Sequence, residues 1–198
     1  LMNIAILGFG KEGQAALEYW GKADGGNQIT VCDQNSSIVL PDNVTGKLGH
    51  AYLQGLDRFD LIVRSPHVHP RDISANNSPD ILAKVITGTE EFIRKCPAPI
   101  IGVTGTKGKG TTSSLITAII REAGYKVHLG GNIGIAPVAM FKNNIQPEDW
   151  VVLELSSFQL YDLKASPKVA VCLMVVPEHL DWHADMEEYI ASKQNLFL

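Results

Sequence analysis

Two glycine-rich stretches and three isolated charged residues carry the types and spacings that handle phosphate. The first stretch is Gly8-Phe9-Gly10-Lys11-Glu12-Gly13, a G-x-G-x-x-G directly after the apolar run 3–7 and before a helical run at 14–20. Glycines there permit a tight turn and let a phosphate approach a helix N-terminus, whose free N–H groups and dipole attract anions. Asp33 ends the next apolar run, 20 residues after Gly13, where a ribose-binding acid is expected. Taken alone, this stretch reads as a dinucleotide site with NAD as the default. A uridine diphosphate sugar held by the same geometry, and a tight turn that binds nothing, are the alternatives.

The second stretch, Thr104-Gly105-Thr106-Lys107-Gly108-Lys109-Gly110-Thr111-Thr112, again follows an apolar run and opens a helical one. It reads as a phosphate-cradling loop, in which backbone N–H groups wrap the phosphates, Lys109 neutralises them and a hydroxyl holds Mg²⁺. The strict Walker pattern is not met, because Val103 stands where its first glycine belongs. Gly110 follows Lys109 in place of Ser or Thr, so the hydroxyl must come from Thr111 or Thr112. Lys107 either binds phosphate too or is a solvated charge.

Glu154 closes the apolar run 150–153, at the end of a strand where parallel α/β sheets bind ligands, and a carboxylate there suits Mg²⁺. His179 follows another apolar run and is placed at the same strand-end site, with His183 read as a surface histidine. A zinc pairing of His179 with His183, or of His67 with His69, lacks further ligands at finger spacing. Lys193 falls inside the apolar stripe Met186, Tyr189, Ile190, Leu196 and Phe197 of a helix over 186–197. It is either a snorkelling lysine with a wet ammonium or an amine, or its carbamate, pointing into a site.

The elements that must position these groups alternate strand and helix. Strands are predicted at 3–7, 29–32, 61–63, 100–103, 126–129, 150–153 and 169–175, and helices at 14–20, 89–95, 111–123 and 186–197. Alternation of this kind implies parallel βαβ units, and continuous apolar strands suit sheets covered on both faces. The fold class expected is α/β: a Rossmann-like domain over 1–95, then an incomplete P-loop-type domain over 96–198, with the break at Pro97–Pro99.

The 198 residues are 45% hydrophobic and 19% charged, which argues against disorder or coiled coil. Seventeen basic against 21 acidic residues exclude nucleic-acid binding through bulk charge. Three widely spaced cysteines without a CxxC fit free thiols in a reducing cytoplasm. No signal-peptide pattern or membrane-length apolar run is evident.

Taken together the motifs resemble the Mur ligases of peptidoglycan synthesis. Thr104–Lys109 resembles the family's ATP loop, and Gly130-Gly131-Asn132-Ile133-Gly134 its substrate loop. Glu154-Leu155-Ser156-Ser157-Phe158-Gln159-Leu160 resembles the signature of the D-glutamate-adding members. Glu178-His179-Leu180-Asp181 and the run 187–193 resemble the next two signatures, and Ser65-Pro66 the N-terminal sugar-nucleotide loop. The resemblance implies ATP-driven amide formation through an acyl phosphate, with ATP, UDP-N-acetylmuramoyl-L-alanine and D-glutamate as partners.

It implies that Gly105, Thr106, Lys107, Gly108, Lys109, Gly110 and Thr111 bind ATP. Thr111, Glu154, His179 and a carbamylated Lys193 would serve two Mg²⁺ ions, with Lys109, His179 and Lys193 as the catalytic set. Gly8, Gly10, Gly13, Asp33 and Ser65 would hold the uridine diphosphate end, and Asn132, Ser156 and Gln159 the muramoyl-alanine part. No nucleic-acid or membrane partner is implied, and the full-length enzyme would be a cytoplasmic monomer.

Departures are Gly110, Glu178 where Asp is usual, Met174 where Asn is common, and Gln34-Asn35 after Asp33. The family has three domains and about twice this length. This polypeptide is therefore expected to be a fragment without ligase activity, lacking the domain that holds the amino acid. The competing readings are a nucleotide-sugar-binding module without catalysis, an NAD-dependent dehydrogenase, and a relative that adds a different amino acid.

Overall fold

The computed structural model describes residues 1–22 and 26–198. The chain divides into two compact α/β units, residues 1–88 and 89–198. The sequence placed the break at 95/96. The difference is helix α3, whose Phe92 and Ile93 pack with Ala98, Ile100, Val151 and Leu153 in the second unit's core.

In the first unit the order is β1 (Asn3–Leu7), α1 (Lys11–Gly21), β2 (Gln28–Asp33), β3 (Thr45–Leu48), β4 (Leu61–Arg64), α2 (Pro70–Ser74) and β5 (Val85–Thr87). The five strands form one parallel sheet in the order β3-β2-β1-β4-β5. The order reverses at β1, so the loops after β1 and β4 open at the strand ends where α/β sheets take ligands. Ile4, Ala5, Ile6 and Leu7 of β1 are fully buried, as a continuous apolar run in a central parallel strand requires. Each large apolar side chain buried this way contributes about 1.5–3 kcal/mol.

The second unit runs α3 (Gly88–Lys95), β6 (Ile100–Thr104), α4 (Lys109–Glu122), β7 (Val127–Gly131), β8 (Trp150–Glu154), α5 (Ser157–Leu160), β9 (Val169–Cys172) and α6 (Met186–Gln194). Its parallel sheet has the order β7-β8-β6-β9. On one face Met140, Val151, Leu153, Leu160 and Leu196 are packed together. On the other, Ile101, Val103 and Val152 meet Ile116 and Ile120 of α4. β9 is an edge strand of this sheet among the described residues, with Val169 and Cys172 exposed. The expectation that its apolar run is covered on both faces is corrected accordingly. Helix α6 ends at Gln194 and tightens into a 3₁₀ turn over Asn195–Phe197, and Ile190 and Phe197 of the expected stripe are exposed. No described helix is long and apolar enough to cross a membrane.

The buried carboxylate of Asp149 fastens the start of β8. It hydrogen-bonds to His128 Nε2 (2.8 Å) and accepts from Lys126 Nζ (3.0 Å) and the Gln146 N–H (3.0 Å). Chiefly through His128, these partners hold the Asp149 carboxyl down at about 2. A carboxyl whose pKa is lowered on folding stabilises the fold above its unfolded value and loses that contribution as pH falls through the folded one. The stability gap between wild type and Asp149→Asn is therefore expected to be constant above pH about 4 and to shrink toward pH 2. Urea unfolding at a series of pH values reads it; a gap unchanged down to pH 2 contradicts the assignment.

Candidate functional site

In the first unit, the turn after β1 is tightly packed at Gly8 and Gly13 and open at Gly10. Gly8 has φ +83, its N–H donates to Cys32 O (2.8 Å), and its carbonyl accepts from Ser65 Oγ (3.0 Å). A Cβ on Gly13 would lie 1.9 Å from Gly8 O, so α1 packs directly on the turn it follows. Gly10 caps α1 at φ −73 and faces open space. Gly13→Ala is thus expected to destabilise the first unit by about 2 kcal/mol or more, and Gly10→Ala by under about 1 kcal/mol. Denaturant unfolding of the two variants checks this; equal losses would contradict it.

Asp33 sits at the end of β2, as its spacing suggested, but its carboxylate serves the loop. Oδ2 accepts the Phe9 N–H at 2.6 Å and Oδ1 accepts the Asn35 N–H at 2.8 Å. Ser65 begins the loop after β4, whose shape is set by the buried guanidinium of Arg64, donating to Pro66 O (2.8 Å) and Val68 O (3.0 Å). Gly8, Gly13, Asp33 and Ser65 thus form one strand-end turn. His69 is spent on structure, since its Nδ1 accepts the Arg71 N–H at the start of α2.

In the second unit the loop between β6 and α4 is held from below. Gly105 (φ +142) and Gly108 (φ +85) adopt conformations that L side chains rarely take. Lys109 Nζ folds back to donate to Gly105 O (2.9 Å) and Thr106 O (3.0 Å). Thr106 is buried; its hydroxyl hydrogen-bonds to Tyr189 OH (2.9 Å) and accepts the Val176 N–H (3.0 Å). Lys107 is exposed and pairs with Glu178 at 2.5 Å, which raises the lysine's pKa and lowers the glutamate's. Thr111 is exposed on the first turn of α4.

Glu154, the last residue of β8, is buried against this loop. A Cβ on Gly110 would lie 3.1 Å from Glu154 Oε2, so the glycine makes room for the carboxylate. Asn132 Nδ2 donates to Glu154 Oε1 (2.8 Å), and the Asn132 N–H donates to Glu154 O (2.8 Å). Gly131 allows that approach, with φ +106 and an added Cβ only 2.2 Å from Glu154 O. Ser156 and Gln159 form a reciprocal capping box at the start of α5, with Gln159 buried.

Lys193 lies in this same cluster. It is 3% exposed, donates to Gly105 O (3.1 Å) and sits 4.5 Å from the Tyr189 ring centre. Burial, with Lys109 nearby, pushes its amine down to about 8. The snorkelling alternative is excluded, because the ammonium end is itself inside. His179 is half exposed, with φ +57, its ring packed on Phe158 (4.8 Å) and its Nε2 3.7 Å from Glu178 Oε2. His183, expected at the surface, is instead buried and hydrogen-bonded to Ser157 Oγ at 3.0 Å. Among the described residues no three His, Cys, Asp or Glu side chains are grouped to hold a metal by themselves.

The structure thus brings Gly105, Lys109, Gly110, Glu154, Asn132 and Lys193 together, and it keeps Gly8, Gly13, Asp33 and Ser65 in the other unit. Sequence reasoning missed two members: Tyr189, whose spacing four residues before Lys193 was the available signal, and Glu178 as the partner of Lys107. An anion-cradling loop with Lys109 folded onto it, the buried Lys193 and a strand-end carboxylate can hold a polyphosphate and a divalent cation.

Residues 103–198 match the Mur ligase middle domain. The chain is 39% identical, over 98% of its length, to the UDP-N-acetylmuramoylalanine--D-glutamate ligase of Clostridium kluyveri, covering 44% of that protein. It is 40% identical to the ligase of the same name from Acetivibrio thermocellus, over 98% of the chain and 43% of that protein. The chain therefore spans less than half the length of these curated relatives. Among solved structures, it is similar to UDP-N-acetylmuramate:L-alanyl-gamma-D-glutamyl-meso-diaminopimelate ligase from Neisseria meningitides. That match has a TM-score of 0.54 at 19% identity and covers 99% of this chain and 67% of that one. It bears on the fold alone.

Proposed function

The chain belongs to the Mur ligase family, and on that premise we propose that it is part of an ATP-dependent ligase of peptidoglycan synthesis. The reaction is the joining of D-glutamate to UDP-N-acetylmuramoyl-L-alanine. The observation that carries this reading is the meeting of two lysines on one loop carbonyl. Lys109 and Lys193 both donate to Gly105 O (2.9 and 3.1 Å), with Glu154 packed against the next turn.

Such a site suits phosphoryl transfer between like-charged reactants. A substrate carboxylate oxygen bonds to the γ-phosphorus as the bond to the β-phosphate oxygen breaks, giving an acyl phosphate and ADP. The D-glutamate amine then attacks the acyl carbon, phosphate leaves, and the amine proton passes to solvent. Lys109 leaves its loop carbonyls to neutralise the phosphates, while N–H groups of the loop and the start of α4 orient them. Glu154, Thr111 and His179 offer oxygen and imidazole donors that fit Mg²⁺, and the room left for Glu154 by Gly110 supports this fit. When bound, Mg²⁺ offsets charge on the phosphates.

Lys193 contributes through its lowered pKa of about 8. Near pH 8 about half of such amines are neutral and can add CO₂, releasing a proton and leaving a carbamate oxygen donor. A carbamate signal in ¹³CO₂-labelled chain, growing as pH rises through 8 and missing in Lys193→Arg, is the expected result. Its absence from wild type contradicts the modification.

The turn of Gly8, Gly10, Gly13, Asp33 and Ser65 would take the uridine diphosphate end, with Asp33 also propping the loop through Phe9. Asn132, exposed beside Glu154, would contact the muramoyl-alanine part directly, while Ser156 and Gln159 hold the segment behind it. Separate titrations with UDP-N-acetylmuramoyl-L-alanine, ATP with Mg²⁺, and NADH test the reading. Saturable binding of the first two and not the third is expected. Binding of the sugar nucleotide alone would make the chain a binding module, and tight NADH binding would restore the hydride-transfer reading.

A further inference from the structure

The imidazole of His183 takes no part in the chemistry just described, yet it is 2% exposed and shares Phe158 as a ring neighbour with His179. His179 holds a left-handed backbone (φ +57), which costs a non-glycine residue about 1 kcal/mol or more and persists only where its surroundings enforce it. The enforcement comes from the residues that follow. The His179 carbonyl accepts the N–H groups of Trp182 (3.1 Å) and His183 (3.0 Å), closing the turn.

The His183 side chain then fixes that turn to two elements. Its Nε2 and Ser157 Oγ hydrogen-bond at 3.0 Å, at the start of α5 and three residues after Glu154. Its Nδ1 lies 3.7 Å from Glu188 Oε2 on α6, and its ring meets Tyr189 at 5.2 Å, on the helix that carries Lys193. The ring also stacks on Phe158 (5.9 Å, 9° between planes), and the same Phe158 packs on His179 at 4.8 Å. One buried imidazole therefore touches the segment after Glu154, the helix of Lys193 and the ring against which His179 rests.

We propose that His183 is a positioning residue: it pins the 177–183 turn between α5 and α6 and so sets where the His179 imidazole stands relative to Glu154 and Lys193. The role rests on the reading that His179 serves the bound metal. Outer-shell groups that orient a metal ligand typically affect metal affinity about 10- to 100-fold.

The test uses the chain labelled with ¹⁵N-histidine, with the His179 ring signals assigned through His179→Gln. In His183→Ala, these signals are expected to shift and broaden without metal. Mn²⁺ affinity in the presence of AMP-PNP should fall about 10- to 100-fold, with the affinity for AMP-PNP alone unchanged. His183→Gln, whose amide can reach Ser157, should recover most of the loss. Ser157→Ala, which spares the ring, should lose less in the same direction and decides the matter if His183→Ala does not fold. A folded His183→Ala or Ser157→Ala with wild-type His179 signals and Mn²⁺ affinity overturns the proposal. If Mn²⁺ leaves the His179 signals of wild type untouched, the metal reading fails, and the metal-free shift still decides the positioning.

Discussion

Lys109→Met is expected to weaken binding of AMP-PNP about ten- to a hundredfold, the value of one or two charge-assisted hydrogen bonds to phosphate. The Lys109 ammonium is within reach of the loop, since it already donates to Gly105 O and Thr106 O. The bound phosphate offers it a full negative charge in exchange for those two carbonyl dipoles. Removing it takes the one flexible cation that the loop itself carries in its interior, because Lys107 is exposed and paired with Glu178. Lys193 does not replace it, because it is buried and its Nζ is tied to Gly105 O from α6. Affinity for UDP, whose proposed contacts all lie in the first unit, should be unchanged. Calorimetry on the variant reads both, and AMP-PNP affinity equal to wild type would remove Lys109 from the site.

Gly131→Ala is expected to be the most damaging single-methyl change in the second unit. Two costs coincide there. Residue 131 has φ +106, which an alanine adopts at a cost of about 1–3 kcal/mol. The new Cβ would also lie 2.2 Å from Glu154 O, a backbone atom of β8 that cannot rotate away. Strand β7 must separate from β8 at this point, breaking the Asn132 N–H bond to Glu154 O and moving the carboxylate that Asn132 Nδ2 holds. A loss of about 3 kcal/mol or more in unfolding free energy is expected, together with loss of Mn²⁺ binding. Gly134→Ala is the control for backbone conformation alone, since it has φ +68 in open space. A Gly131→Ala chain no less stable than Gly134→Ala would contradict the close packing of β7 on Glu154.

Much of the site was legible because its chemistry is local in sequence. The stretches 104–112 and 8–13 stand where a strand meets a helix, as read, although the helices begin earlier than expected, at Lys109 and Lys11. Ser156 and Gln159, expected at the muramoyl-alanine part, also fit the S-x-x-Q capping pattern, a signal not used in that reading, and the structure forms the box. Strand β3 was not legible: Thr45-Gly46-Lys47-Leu48 has no apolar run and low strand propensity, and it forms only because β2 offers an edge. Strand β9 read as doubly covered because Val169, Ala170, Val171 and Cys172 are all apolar. Its exposed edge depends on sheet order, which no local pattern encodes. The burial of His183 was equally out of reach, since it depends on Ser157 and Phe158, which lie more than 20 residues earlier. The meeting of Lys193 with Gly105 spans 88 residues and had only the apolar stripe of α6 to announce it.

The central claim is that each unit carries its own nucleotide site and that the loop of the second unit takes the triphosphate. Backbone amide NMR of the chain during addition of AMP-PNP with Mg²⁺ tests it most directly. Saturable shifts of Gly105, Thr106, Gly108, Lys109 and Thr111, with Gly8, Gly10 and Gly13 unmoved, are the expected result. UDP-N-acetylmuramoyl-L-alanine should move the Gly8–Gly13 turn in its place. Shifts of Gly8, Gly10 and Gly13 on adding AMP-PNP, with residues 105–111 unmoved, would contradict the account.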